Sequence, residues 1–150
     1  MKINDIVIVA SLGEIKTYKA LPKTLEAEAG LKENEIKLDL INDINIIEAH
    51  KKLQDLITDI RGNFKPSFLK NAISGEKHNL EQEIYKETVK IVAEDIDKII
   101  EENNPKRVFL AIPKIIKNDV LNYIKNKDKI FKIVEKDLIK TDKNSLLNFF

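Results

Sequence analysis

The chain has 150 residues, 43% hydrophobic and 34% charged, which excludes a disordered polar segment and suits one soluble domain over residues 1–150 with a single core. It has no Cys, which excludes disulfides and thiolate metal sites, and no apolar run near the ~20 residues that cross a bilayer, so no membrane insertion is expected. The 26 basic and 25 acidic residues leave a formal charge of +1 that hides an asymmetry: 11 basic against 5 acidic from Pro105 onward, net +6, and 15 against 20 before it, net −5.

Ile6, Val7, Ile8, Val9 and Ala10 form a continuous apolar run, the mark of a strand buried on both faces and hence central in its sheet. The run is soon followed by Glu14 and Lys16 and is too short for a secretory signal core, so a cytoplasmic location is expected. Ser11, Leu12 and Gly13 make a tight turn. Ile15, Thr17 and Lys19 then alternate with Lys16, Tyr18 and Ala20 as in a second strand pairing back on the first. Pro22 ends that strand, and the polar connection from Thr24 to Glu35 has room for a helical turn before Gly30.

Ile36, Leu38 and Leu40 alternate with Lys37, Asp39 and Ile41, which predicts a third strand near an edge with one wet face. From Ile46 the spacing changes to Ile46, Ala49, Leu53, Leu56, Ile57 and Ile60, one side of a helix. Residues 61 to 78 hold Gly62, Pro66 and Gly75 without a clear period and predict a long loop, a feature that in a compact domain tends to be functional or disordered. Asn79, with Gln82 as its capping-box partner, is placed to start the longest helix, along which Ile84, Thr88, Ile91, Val92, Ile96, Ile99 and Ile100 recur. Asn103, Asn104 and Pro105 stop it.

Val108 to Ile112 is a second fully apolar run, expected beside the first in the middle of the sheet and ended by Pro113. Ile116, Val120, Leu121 and Ile124 predict a short helix, and Ile130, Ile133 and Val134 a strand. Together they make the crossover unit of a parallel pair, expected to be right-handed. A last short helix, Ser145 to Phe149, should cover one face. The class is therefore α/β, a mixed sheet of about five strands with helices packed on it.

Familiar catalytic signatures are missing: there is no dinucleotide fingerprint, P-loop, nucleophile elbow or zinc-protease motif. Asp43, Asp59 and Asp137 suit acid and base work, yet no pair can be placed, so no catalytic residue is assigned and no cofactor or metal is called for. His50 lies on a predicted helix flank and reads as surface or packing, whereas His78, in the loop, is a candidate ligand contact. Arg61 and Arg107 are the only arginines among the basic residues. In "TDIRGNF", Arg61 can clamp a phosphate or carboxylate while Gly62 lets the backbone turn, or it simply pairs with Asp59. In "EKDLIK", Lys136 and Lys140 flank Asp137, which is either a strand-to-helix cap or one edge of a phosphate-binding surface. Lys114 completes the set of candidates: convergence of Arg61, His78, Lys114 and Lys136 in one concavity would favour ligand binding.

Taken in order, "IVIVASLGEIKTYK", "TDIRGNF", "EKHN", "VFLAIPK" and "EKDLIK" resemble the opening hairpin, the acid-Arg-Gly loop, the basic-His element, the Pro-ended strand and the Lys-Asp-Leu close of the bacterial host attachment proteins ("protein required for attachment to host cells"). Departures are Lys117 where that family usually has Gly, Val120 where it often has Arg, and Ser11 and Leu12 in place of an acidic turn. The resemblance implies a fold related to the middle domain of archaeal and eukaryotic peptide-chain release factors and, with it, a tRNA or ribosome partner. The Gly-Gly-Gln of release factors is absent, which removes the basis for peptidyl-tRNA hydrolysis.

Three functions follow as expectations. The first is a non-enzymatic RNA- or ribosome-associated domain using the basic C-terminal third, although a solvated Lys-rich surface also accounts for that charge. The second is an enzyme or small-ligand protein using Arg61 and His78 in the 61–78 loop. The third is a protein-interaction module in host association, which predicts an exposed apolar patch.

Overall fold

The computed structural model describes the backbone of residues 1–32, 35–62 and 70–150, and the side chains of residues 1–32, 35–59 and 79–150. Its centre is a five-stranded sheet of order β3-β2-β1-β4-β5, where β1 is Ile6–Ala10, β2 Glu14–Pro22, β3 Ile36–Asn45, β4 Val108–Ala111 and β5 Ile130–Val134. Every residue of β1 and β4 is buried, as two unbroken apolar runs require if both faces are covered. They lie side by side and parallel, with Ile6 opposite Val108 and Ile8 opposite Leu110. β5 adds to β4 in parallel after the helix α5, Lys114–Leu121, as the crossover pattern predicts.

β2 returns antiparallel to β1 through Ser11–Gly13. The Ser11 hydroxyl oxygen accepts the backbone N–H of Gly13 at 3.2 Å and of Glu14 at 3.1 Å, so one short side chain closes the turn. β3 lies on the outer edge with most of its residues exposed, and a bulge at Thr17/Tyr18 interrupts its pairing with β2. The turn before Gly30 forms as α1, Leu25–Glu28, capped by the Thr24 hydroxyl.

Strict alternation divides the apolar side chains between two cores. Ile6, Ile8, Ala10, Val108, Leu110 and Ile112 meet helices, above all α4, Lys70–Asn103, through Val89, Val92, Ala93, Ile96, Ile99 and Ile100. Val7, Val9, Phe109 and Ala111 point the other way, under the C-terminal segment with Leu138 and Leu146. That segment includes α6, Lys143–Leu146, followed by a 3-10 turn, the predicted last helix. Each fully buried Ile or Leu contributes about 1.5–3 kcal/mol. Among the described residues no helix is long and apolar enough to cross a membrane.

Three expectations are corrected. The helix predicted from Ile46 is two, α2 (Ile46–Ala49) and α3 (Lys51–Gly62), because His50 between them is extended at φ −127° and ψ 106°. The loop predicted over 61–78 is helical at both ends: α3 runs through Arg61 to Gly62 and α4 starts at Lys70, while residues 63–69 lie outside the described ones. Asn79 is therefore inside α4, not its cap. Between Lys70 and Asn79 the only Gly or Pro is Gly75. One interior Gly costs about 1 kcal/mol, less than starting a second helix, so a helix anchored by the Val89–Ile100 stripe continues through it.

Candidate functional site

Register decides which residues meet at each end of the sheet. Because Ile6 and Val108 are paired in parallel strands, the residue before each, Asp5 and Arg107, become neighbours. Arg107 Nη2 donates to Asp5 Oδ2 at 2.6 Å and Nε to Oδ1 at 3.4 Å, and the Lys2 backbone N–H adds a 2.6 Å bond to Oδ2. Asp5 is only 4% exposed. A forked pair with a buried carboxylate directs the guanidinium, itself 26% exposed, whose Cζ lies 4.7 Å from the centre of the Phe131 ring and 5.4 Å from that of Phe109.

Around the pair opens a cleft of about 630 Å³, lined by Lys2, Ile3, Asn4, Asp5, Ile6, Lys19, Asn103, Asn104, Pro105, Lys106 and Arg107. Lys19 reaches this end because it stands opposite Ile6 on β2. Two turns shape the rim, each with a left-handed Asn: Asn4 at φ 73° between Lys2 and Asp5, and Asn104 at φ 42°, whose N–H donates to the Ile100 carbonyl to close α4. A further ammonium, Lys129, ends the 3-10 turn just before Ile130, the β5 residue opposite Val108.

The described lining thus holds four cations and one acid, and that acid is already neutralised by Arg107. Concave walls concentrate such a field and attract anions. The lining offers ammonium, guanidinium, amide and one engaged carboxylate, with no His, Ser, Thr or Glu beside them. Ammonium and guanidinium groups on concave walls suit the binding of an anion.

The candidates from the sequence lie elsewhere. Arg61 and Gly62 close α3 and His78 is in the first half of α4; their side chains lie outside the described residues, so the proposed four-residue convergence does too. Lys114 opens α5 just beyond β4, and Lys136 and Asp137 follow β5, at the carboxyl ends of the parallel strands and opposite to the cleft. Here Lys16, Lys117 and Lys136 each have a partner. Lys117 pairs with Glu135 and, with Lys114 nearby, holds that carboxyl below the usual carboxylate range. Lys136 Nζ lies 5.1 Å from the centre of the Phe149 ring, and Asp137 Oδ1 accepts the Ile139 N–H at 3.3 Å, so Asp137 caps a turn. Lys16 Nζ donates to the Ile139 carbonyl at 3.0 Å.

Sequence reasoning singled out Arg107 only as the second of two arginines and passed over Asp5, Lys2, Lys19 and Lys106. A signal existed: each central apolar run is preceded immediately by a charged residue of opposite sign. His50, read from the sequence as surface or packing, packs: its Nε2 lies 2.7 Å from Asp95 Oδ2 and ties the α2–α3 junction to α4. Among the described residues no three His, Asp or Glu side chains gather as metal ligands would.

Comparison with known proteins agrees with the resemblance seen in the sequence. A search among curated proteins finds no match. The family model described as "Protein required for attachment to host cells" matches residues 6–148, which spans both central strands, the long helix and the C-terminal cover. The chain belongs to this host attachment family.

Proposed function

We propose that this member of the host attachment family is an RNA- or ribosome-associated domain of the cytoplasm that binds phosphate backbone in the Arg107 cleft and carries out no reaction of its own. The observation that supports it best is the cleft itself: Lys2, Lys19, Lys106 and Arg107 around about 630 Å³, with their single acid consumed by Arg107. Lys and Arg around a concave floor suit successive phosphates better than one small carboxylate, because several charges are spread along an open edge. The release-factor kinship implied by the sequence is part of the proposal and names tRNA and the ribosome as the first partners to try. The attachment phenotype of the family would then be an indirect effect of an RNA-level role.

The test is tRNA and ribosome binding at about 50 and 200 mM salt. With about three phosphates neutralised, by Lys2, Lys19 and Lys106, affinity should fall about fortyfold between the two. No detectable binding at the lower salt overturns the proposal.

A further inference from the structure

The cleft does not account for Phe131. On β5, Ile130 pairs with Val108 and Lys132 with Phe109, so Phe131 is the extra residue of a bulge on an edge strand. It packs on Phe109 with ring centres 5.5 Å apart, yet it stays 62% exposed, while Phe109 is 2% exposed and is also covered by Phe150 at 5.8 Å. Closing the core does not need Phe131 in the open. Arg107 lies over this ring and at the same time lines the cleft, so the aromatic face and the cationic floor share one residue. Lys129 and Lys132 flank the ring in the chain.

An exposed ring backed by a fixed guanidinium, beside a groove of ammonium groups, has the two components that hold unpaired nucleic acid: a π face for a base and cations for its phosphates. A duplex, with its bases stacked on each other, can use only the second. We propose that Phe131 and Arg107 form a stacking platform for one unpaired nucleobase, so that the ligand is single-stranded RNA whose backbone continues through the Lys2–Lys106 cleft. This rests on the RNA-binding function proposed above and narrows it.

The experiment compares an unstructured RNA oligonucleotide with an RNA duplex of equal charge by fluorescence anisotropy, using the parent chain, Phe131→Leu, Phe131→Tyr and Lys106→Gln. Phe131→Leu keeps an apolar side chain over Phe109 and removes the π face. It should weaken single-strand binding about five- to a hundredfold, leaving the salt slope and duplex binding unchanged. Phe131→Tyr should bind as the parent does. Lys106→Gln should weaken both ligands and reduce the salt slope by about one. If Phe131→Leu binds the single strand as well as the parent while Lys106→Gln still weakens it, the platform is wrong and the cleft stands. If neither RNA binds the parent chain, both proposals fall.

Discussion

Glu14 and Asp43 show how a single charge can oppose the fold that carries it. They sit diagonally on neighbouring strands, two residues out of register, since Glu14 stands opposite Asn45 and Lys16 opposite Asp43. A hydrogen bond between the two carboxyls, assisted by partial burial and by the charge of Asp43, raises Glu14 above its usual 4.5, and Lys16 only partly offsets this. A folded-state value above the unfolded one means that the contribution of Glu14 is fully present below pH 4.5 and is lost as pH rises through the raised value. Glu14→Gln should therefore melt higher than the parent at pH 7, by a few tenths of a kcal/mol because solvent screens the pair, and the gap should close as pH falls to about 4. Melting temperatures at both pH values decide it; an equal offset at each would mean that the charge of Glu14 is not the cause. Arg107 is the opposite case, a charge whose partner is supplied by the strand register, and it owes its fixed direction to Asp5.

At the level of elements, short polar anchors decide where helices begin, break and dock. Asp97 on α4, 7% exposed, accepts the backbone N–H groups of Lys125 and Asn126 and the Asn126 amide, all between 2.9 and 3.1 Å. One carboxylate thus fixes the chain between α5 and β5, and with it the edge strand that carries Phe131. Asp97→Ala would leave two backbone donors without their acceptor and should cost about 3 kcal/mol, or roughly 6–12 °C in melting temperature; Asp97→Asn, which keeps one acceptor oxygen, should lose less. Urea denaturation measures both, and an unchanged midpoint for Asp97→Ala would refute the role. Such anchors also explain what was legible in the sequence. The apolar runs at Ile6 and Val108, the crossover to β5 and the stripe from Val89 to Ile100 follow from periodicity, because burial repeats with the geometry of the element. The break at His50 does not, since it depends on Asp95 from α4, 45 positions away. Nor does the helical start of α4: Gly75 and Asn79 look like breakers locally and are overruled by a helix nucleated further along. The cleft was half legible, as Asp5 and Arg107 each flank a predicted central strand, and only parallel pairing in register makes them neighbours.

For the whole molecule, the question is which end of the sheet faces a ligand. Open α/β sheets usually bind at the carboxyl ends of their parallel strands. In this chain that end is closed by its own parts: Lys16 holds the Ile139 carbonyl, Lys136 covers Phe149, and Lys117 and Lys114 answer Glu135. The amino ends are left open, with cations converging on the Asp5–Arg107 pair. Two double variants separate geometry from bulk charge. Lys19→Glu with Lys106→Glu alters the cleft, and Lys114→Glu with Lys136→Glu alters the opposite end; each lowers the net charge by four, from the parent's +1. If binding follows the cleft, the first pair should reduce tRNA affinity at least about tenfold at ~100 mM salt and flatten the salt slope by about two, whereas the second should stay within about threefold of the parent. Thermal melts confirm that both remain folded. Equal losses in the two variants would show that the ligand senses only the overall charge of the protein, and the assignment of its binding face to the amino ends of β1 and β4 would have to be given up.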